Sequence, residues 1–252
     1  MPNYAAIADS IQHSLGLKFT PISVILTDTA PGGVKRYEGH APAGCSFWEE
    51  ASAGAFTTSA ADHAQCSIGI YTHNLAGAPP QYASELAAVL QVMSGLEYVR
   101  AEDVAQIPVL TQQPRFVTYS PLAESPAPPD VVLIFADARQ GLVLAEAAQQ
   151  ADSELPPALG RPACAAVPQA YNSGRAAVSF GCCGARAYIG ALDAGTSLWA
   201  LPGAKLELYA ARIARLADAN SLLTKFHEIR KSDVAAGASP TYAESMRRMS
   251  ST

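Results

Sequence analysis

Long apolar runs are missing from this sequence. No stretch approaches the ~20 consecutive apolar residues that a membrane-spanning helix needs, and the first residues, Met1-Pro2-Asn3-Tyr4, lack the basic segment and apolar core of a signal peptide. We therefore expect a cytoplasmic protein that has no membrane partner. Because thiols stay reduced in that compartment, the five cysteines indicate metal binding or catalysis more often than disulfides.

An excess of positive charge is missing as well. The formal net charge is −5, and charged residues make up only 15% of the chain. Binding to the phosphates of a nucleic acid requires lysines and arginines gathered on one face. The composition therefore argues against a broad basic face, and we expect no nucleic-acid partner.

Several short motifs that identify enzymes and metal sites are also absent. There is no Cys-x-x-Cys pair, so the local spacing typical of zinc knuckles and ferredoxin-type clusters does not occur. Neither Gly-x-x-x-x-Gly-Lys-Ser/Thr nor Gly-x-Gly-x-x-Gly is present to hold phosphates. Gly-x-Ser-x-Gly and His-Glu-x-x-His are missing too, which argues against the hydrolases that carry them.

What the chain does contain is a mixture of helical and strand patterns at irregular spacing. The pattern predicts an α/β or α+β fold, with a mixed sheet flanked by helices in a single compact domain. The domain is expected to cover residues 1–231, and residues 232–252 are expected to form a polar tail that is mobile or packed on a partner. The predicted helices cover 4–15, 81–97, 141–151 and 204–231, and the predicted strands cover 21–26, 116–119, 131–135, 176–180 and 197–201.

The most informative stretch is Gly181-Cys182-Cys183-Gly184, which stands between a predicted strand and a helical segment. Glycine allows a close approach of the backbone to a ligand. The free N–H groups at the start of a helix favour an anion or a thiolate. Two thiols at such a turn therefore indicate a reactive or metal-binding site.

Three further cysteines, Cys45, Cys66 and Cys164, lie in loops or beside glycine. Such positions suit thiolate ligands, because the surrounding backbone N–H groups can donate to sulfur. A free cysteine is also often a small buried hydrophobic residue, and we favour that interpretation for Cys183. Spacing along the chain does not show whether the sulfurs meet.

Two histidines and one arginine lie near these cysteines in sequence. His63 and His73 flank Cys66, and either could ligate a metal or move a proton. Arg186 follows Cys182 by about one helical turn, where it could pair a carboxylate substrate or offset a thiolate-bound cluster. The alternatives are hydrogen-bonded or surface histidines and a surface salt bridge.

Four places in the chain resemble one family, a widespread prokaryotic family of uncharacterised proteins known as domain of unknown function family 169. The resemblance covers about residues 17–222. The family is frequent in anaerobic bacteria and archaea, and no activity comes with its name. The four places are Pro21-Ile22-Ser23-Val24 with Gly44-Cys45-Ser46-Phe47-Trp48; Asp62-His63-Ala64-Gln65-Cys66-Ser67-Ile68-Gly69 with Tyr71-Thr72-His73; Pro162-Ala163-Cys164; and Ser179-Phe180-Gly181-Cys182 through Arg186-Ala187-Tyr188.

The family pattern places one cysteine at each of these sites. Here they are Cys45, Cys66, Cys164 and Cys182, and Cys183 is an addition of this sequence. The resemblance therefore implies a metal site on the four matched cysteines. A [4Fe-4S] cluster is our first choice, because each of its four iron corners accepts one thiolate. If only three sulfurs bind, the fourth iron is open to act as a Lewis acid. Zinc held by four thiolates is the rival.

Three functional hypotheses follow. The first is a cytoplasmic iron–sulfur protein that acts in electron transfer or as an enzyme, an oxidoreductase or lyase, with Arg186, His63 and His73 lining its pocket. The second is a zinc-stabilised binding or regulatory module. The third is a metal-free enzyme in which Cys182 or Cys66 is the nucleophile and a histidine is the base. The partner is a small-molecule substrate or a redox protein, and the long final helix is compatible with a homodimer.

Overall fold

A mixed β-sheet forms the centre of the computed structural model, which describes residues 2–159 and 162–249. The strands in these residues are β1 (Ile22–Thr27), β2 (Lys35–Arg36), β3 (Phe56–Ser59), β4 (Phe116–Pro121), β5 (Val131–Asp137), β6 (Ala158–Leu159), β7 (Ala177–Ser179) and β8 (Thr196–Pro202). Their order across the sheet is β2-β3-β4-β1-β5-β8-β7-β6. The edge pairs β2/β3 and β6/β7 are parallel, and the pairs between them are antiparallel. The expected fold class, with its mixed sheet, is confirmed.

Helices lie around this sheet. They are α1 (Tyr4–Leu15), α2 (Ser46–Glu50), α3 (Ser67–Thr72), α4 (Tyr82–Gly95), α5 (Ala138–Asp152), α6 (Ala166–Ser173), α7 (Cys183–Tyr188), α8 (Leu206–Ala235) and α9 (Tyr242–Met249). Residues typical of helix ends mark where several of these helices begin or stop. Gly16 ends α1 in the left-handed conformation that glycine adopts readily, and Asp137 with Gln140 forms a capping box at the start of α5. No helix among the described residues is both long and apolar enough to cross a membrane.

The two faces of the sheet carry separate hydrophobic cores. Alternation along β5 shows the division, because successive side chains of a strand point to opposite faces. Val132 and Ile134 pack with α1, α5 and α8, whereas Leu133 and Phe135 belong to the core on the opposite face. The long helix α8 contacts both α1 and α5. One face is therefore closed by a regular helical layer, and the other is left to short helices and loops.

The short strands β2, β3 and β6 were not predicted. Each has two to four residues, so the period-2 pattern is too brief to be recognised in the sequence. They occupy the two ends of the sheet. Pairing with a neighbouring strand, rather than local preference, is what makes these segments extended.

The structure describes residues 232–249 of the segment for which a polar tail is expected. Helix α8 continues to Ala235, and α9 folds back against it. The Arg230 guanidinium donates to the Pro240 carbonyl at 2.8 Å and lies 4.3 Å from the centre of the Tyr242 ring. The Tyr242 ring also stacks on Phe226. These contacts hold residues 242–249 on the chain's own helix.

Gly203 offers a test of how β8 packs against the start of β5. A Cβ atom at this position would lie 1.7 Å from the Pro129 carbonyl oxygen, a backbone atom that cannot rotate away. We expect Gly203→Ala to lower the free energy of unfolding by about 2 kcal/mol or more, measured by urea denaturation. Gly32→Ala is the control, since a Cβ there meets no atom within 4 Å. Equal stability of the two variants would contradict the packing described here.

Candidate functional site

Four cysteines stand at the beginnings of four short helical segments on the same side of the sheet. Cys45 directly precedes α2, Cys66 precedes α3 and Cys182 precedes α7. Cys164 lies in the 3₁₀ turn Ala163–Ala165, which leads into α6. Helix starts present unpaired backbone N–H groups, which stabilise negative charge on sulfur. The fold thus gives each cysteine a similar local setting.

These four cysteines, far apart in the sequence, line one pocket of about 380 Å³. Their thiols also lie close enough to influence each other electrostatically. In addition to burial, which is the largest cause, charge on Cys66 and Cys182 raises the pKa of Cys45, and charge on each of the other three raises the pKa of Cys164. Cys66 and Cys182 are coupled in the same way. Every pair among the four is therefore coupled, as expected of one shared site.

Burial is the largest influence on three of these thiols. It raises the pKa of Cys45 to about 12 and places the pKa of Cys66 and Cys164 above the usual range. Hydrogen bonds oppose this effect in part: Cys66 Sγ accepts from the Gly69 N–H at 3.3 Å, and Cys164 Sγ accepts from Thr72 Oγ1 at 3.3 Å. Thiolates at these positions therefore need a positive group to offset them.

The two adjacent cysteines differ in exposure. Cys182 is partly buried and packs against the core beneath the pocket, whereas Cys183 is exposed as the first residue of α7. Both border the pocket. Cys183 is therefore not a buried core residue, although we favoured that interpretation from the sequence. Gly181, directly before this pair, has a φ of +88° that suits glycine, and an added Cβ would lie 2.9 Å from Leu192 Cδ2.

Arg186 is not among the residues that line the pocket, and its side chain links backbone carbonyls of two neighbouring segments. Its guanidinium donates to the carbonyls of Phe180, Asp193 and Thr196, the last at 3.3 Å. These acceptors join the end of β7 to the loop before β8. A catalytic role for Arg186 stays a prediction, but its donors are directed at peptide carbonyls and it is not among the residues that line the pocket.

His63 and His73 are buried beneath the cysteine loops. His63 Nε2 lies 3.3 Å from Thr58 Oγ1, and His73 Nδ1 lies 3.1 Å from the Gly69 carbonyl. The other ring nitrogens, His63 Nδ1 and His73 Nε2, have no hydrogen-bond partner among the described residues. Neither histidine is among the residues lining the pocket, so the catalytic role proposed for them stays a prediction.

Glycine brings His63 against the backbone that carries the cysteines. A Cβ at Gly44, directly before Cys45, would lie 2.7 Å from His63 Nδ1. A Cβ at Gly69 would lie 3.0 Å from Cys66 Sγ and 3.3 Å from the same nitrogen. His63 Nδ1 and the Cys66 sulfur thus approach one point above Gly69. Both glycines are needed for this close packing.

Tyr119 is a site residue that the sequence did not reveal. It lies on β4 with its side chain fully buried, and its hydroxyl has no hydrogen-bond partner among the described residues. Burial and charge on Cys164, Cys66 and Cys45 raise the pKa of this hydroxyl, so it remains a proton donor. Strand alternation could have placed Tyr119 on the inner face, but only the fold brings it towards the thiols.

Helix α4 is the other element whose role was missed. Its helical pattern was predicted, yet none of its residues is buried. Val89, Leu90 and Met93 on its inner side form one wall of the pocket. The pocket therefore lies between the cysteine loops and a helix that stands away from the core.

A single metal ion has no ready-made site in the part of the chain that the structure describes. No group of three or more His, Cys, Asp or Glu side chains is placed to hold one ion. The four cysteines line a shared pocket without forming such a group.

The fold and pocket define an α/β protein with four cysteines gathered at one site. A family model described as "Uncharacterised ArCR", DUF169, matches residues 10–212, and the chain belongs to this family. The resemblance noted at four places of the sequence is thereby confirmed. Searches of curated proteins and of solved structures found no match.

The buried histidines predict acid sensitivity of the metal-free protein. Burial lowers the pKa of His63 to about 3 and of His73 to about 4, below the ~6.5 of an exposed histidine. Below about pH 6.5 the unfolded chain therefore binds more protons than the folded one, so stability is lost as the pH falls. Each histidine adds a slope of about 1.4 kcal/mol per pH unit to the free energy of unfolding.

The measurement is urea denaturation at a series of pH values from neutral to acidic. His73→Gln should make the dependence on pH shallower, whereas His13→Gln, at an exposed position on α1, should leave it unchanged. If His73→Gln and the wild type show the same slope, the imidazole is not held neutral by burial.

Proposed function

We propose that this protein binds a [4Fe-4S] cluster through Cys45, Cys66, Cys164 and Cys182. The observation that carries the proposal is the convergence of these four cysteines, from four separate parts of the chain, on one pocket in which every pair is electrostatically coupled. A cubane cluster has four iron corners, and each takes one thiolate. The number and the chemistry of the donors fit this group.

A cluster and a zinc ion make different demands on four thiolates. Four thiolates around one zinc ion must meet at a single point, at about 2.3 Å from the metal, and no group among the described residues is placed to do so. A cubane binds each thiolate at a different corner, so its ligand sulfurs stand farther apart. The zinc-stabilised module remains the second candidate because zinc uses the same four ligands.

Buried polar atoms near the thiols also support a bound group. Tyr119 Oη, Ser46 Oγ and His63 Nδ1 are buried without hydrogen-bond partners among the described residues. Leaving such atoms unpaired costs about 1–3 kcal/mol each. Thiolate and sulfide sulfurs accept hydrogen bonds, and donors around them tune an iron–sulfur cluster. A group that placed such acceptors beside Tyr119 Oη or Ser46 Oγ would offset this cost. His63 Nδ1 is an acceptor, because Thr58 Oγ1 donates to a backbone carbonyl and can only accept from His63 Nε2.

Thiol catalysis without metal is supported less well. It requires a thiolate at neutral pH, usually paired with an imidazolium. Burial raises the pKa of Cys66, and it lowers the pKa of both nearby histidines. Each of these shifts favours the neutral side chain. The surroundings of Cys66 therefore oppose the ion pair between this thiolate and a histidine that such an enzyme needs.

A cluster here would supply one-electron transfer, or a Lewis-acid iron if one cysteine leaves a corner open. The residues of the chain would hold it at helix starts, donate hydrogen bonds from beneath and shield it with the apolar wall of α4. We accordingly propose a cytoplasmic oxidoreductase or lyase, or an electron carrier, whose partner is a small molecule or a redox protein.

Anaerobic purification followed by visible absorption and iron and sulfide analysis tests the cluster directly. We expect a brown protein with about four irons and four sulfides per chain. A colourless protein that holds no iron after reconstitution would overturn the proposal. One zinc per chain, with loss of the fold on chelation, would favour the second candidate.

Single cysteine variants separate the ligands from their neighbour. Cys66→Ala, Cys164→Ala and Cys182→Ala should each lose most of the iron or leave a cluster with altered absorption. Cys183→Ala is the matched control next to Cys182, and it should keep the full iron content because its side chain is exposed. Loss of iron in Cys183→Ala and retention in Cys182→Ala would reverse the assignment of the two adjacent residues.

Tyr119→Phe tests whether the buried hydroxyl serves the cluster. A hydrogen bond to cluster sulfur stabilises the more negative, reduced state, so its removal should lower the reduction potential. Spectroelectrochemical titration measures the change. Tyr188→Phe is the control, because Tyr188 borders the pocket but is half exposed. An unchanged potential in Tyr119→Phe would show that the hydroxyl does not reach the cluster.

A further inference from the structure

We propose that Arg186 is a positioning residue that makes Cys182, and not the adjacent Cys183, the ligand at the start of α7. Both cysteines border the pocket, so two neighbouring thiols compete for one place at the site. The inference deepens the proposed function and rests on it for the identity of the bound group. It concerns the contacts that hold the turn between β7 and α7 in one conformation.

The backbone of this turn gives the two thiols different surroundings. Cys182 is extended, with a φ of −133° and a ψ of 172°, whereas Cys183 is the first residue of α7. Cys182 is partly buried and packs against the core, and Cys183 is exposed. Because φ and ψ are the only soft backbone angles, turning the second thiol inwards requires a change in those of Gly181 and Cys182. The conformation of the turn therefore selects the ligand.

Two hydrogen bonds from Arg186 span the turn. Its backbone N–H donates to the Cys182 carbonyl at 3.0 Å, and its guanidinium donates to the Phe180 carbonyl. The two acceptors stand on either side of Gly181. Rotation of the segment between them would break one or both of these bonds, so Arg186 holds the extended conformation of Cys182.

The same guanidinium is anchored in the loop before β8. It donates to the Asp193 carbonyl and, at 3.3 Å, to the Thr196 carbonyl. Arginine suits this task because its planar guanidinium carries five N–H donors in a fixed arrangement. The side chain thus fastens the turn to the strand that follows it in the chain.

Gly181 is packed directly against this side chain. A Cβ at Gly181 would lie 3.2 Å from both Cγ and Nε of Arg186 and 2.9 Å from Leu192 Cδ2. The Gly181 N–H also donates to Ser179 Oγ at 3.1 Å. A larger residue here would push the arginine away from its acceptors, so the glycine and the arginine act together.

Helix α7 has attachments that do not depend on the guanidinium. Ala185 and Ile189 are buried in the core, and the Gly190 N–H donates to Glu49 Oε2 at 2.8 Å. Glu49 belongs to α2, the helix that Cys45 precedes. Loss of the Arg186 side chain is therefore expected to release the turn without detaching the helix.

Iron content in a combined variant tests the selection. Cys182→Ala alone should lose most of the iron. In Cys182→Ala/Arg186→Gln the released turn lets Cys183 take the vacated place, so the iron bound after anaerobic reconstitution should be roughly twice that of Cys182→Ala or more. A merely structural role of Arg186 predicts the opposite, because a second destabilising substitution would lower the iron content further.

Arg230→Gln is the matched control for this gain. It also removes a guanidinium that donates to a carbonyl, that of Pro240 at 2.8 Å, but on α8. Combined with Cys182→Ala, it should restore no iron.

Thiol labelling gives a second readout, one that does not require a cluster. The anaerobically purified protein is treated with iodoacetamide, and tandem mass spectrometry locates the label. In the wild type Cys182 should react about tenfold more slowly than Cys183, because limited access protects a partly buried thiol. Arg186→Gln should bring the two rates to within about threefold.

Two further variants guard against misfolding of Arg186→Gln. Arg186→Lys keeps the charge and loses the planar set of donors, and Gly181→Ala displaces the arginine by contact. Both should move the labelling ratio in the same direction as Arg186→Gln, with circular dichroism as the check of the fold.

An unchanged labelling ratio in all three variants of the turn would overturn the inference. So would iron content in Cys182→Ala/Arg186→Gln at or below that of Cys182→Ala, in a protein whose wild type holds iron. A ratio lost in Arg186→Gln while the wild type holds no iron would refute the cluster and keep the positioning role. A full cluster in the wild type with an unchanged ratio would do the reverse.

Discussion

The burial of sulfur is the constraint on which the rest of this structure depends. Four cysteines face one pocket, and for Cys45, Cys66 and Cys164 burial strongly disfavours the thiolate. Hydrogen bonds reduce that penalty in part, because the Gly69 N–H donates to Cys66 and Thr72 donates to Cys164, whereas charge on the neighbouring thiols adds to it. Burial therefore favours the neutral form of these thiols, and a thiolate at any of the three positions requires a positively charged group beside it.

The two faces of the sheet are covered differently, and the cysteines lie on one of them. On one face α1, α5 and α8 form a regular apolar layer, which accounts for much of the buried surface. The opposite face is covered by short helices and turns, and they can hold polar atoms such as His63 Nδ1 and Tyr119 Oη inside an otherwise apolar core. Stability and site chemistry are thus placed on opposite sides of the same strands.

Much of the architecture could be predicted because its signals are local. The helix Tyr4–Leu15 and the strands β1, β5 and β8 follow from periodicity and from glycine and proline at their ends. The roles of Arg186 and Tyr119 could not be predicted in this way. Arg186 donates hydrogen bonds to carbonyls of another loop. The pKa of Tyr119 is raised by burial and by charge on cysteines from three other segments. Such contacts leave no periodic trace in the chain.

By itself, the sequence determined the mixed α/β class and the family, and it singled out four cysteines as candidates, because these depend on local patterns and matched residues. Only the tertiary structure decided that those cysteines share one pocket, that Cys183 is exposed beside it, and that α4 supplies an apolar wall. The physical reason is that long-range packing sets the distance between residues far apart in the chain. A shared site of this kind is therefore a property of the fold and cannot be recognised from spacing along the chain.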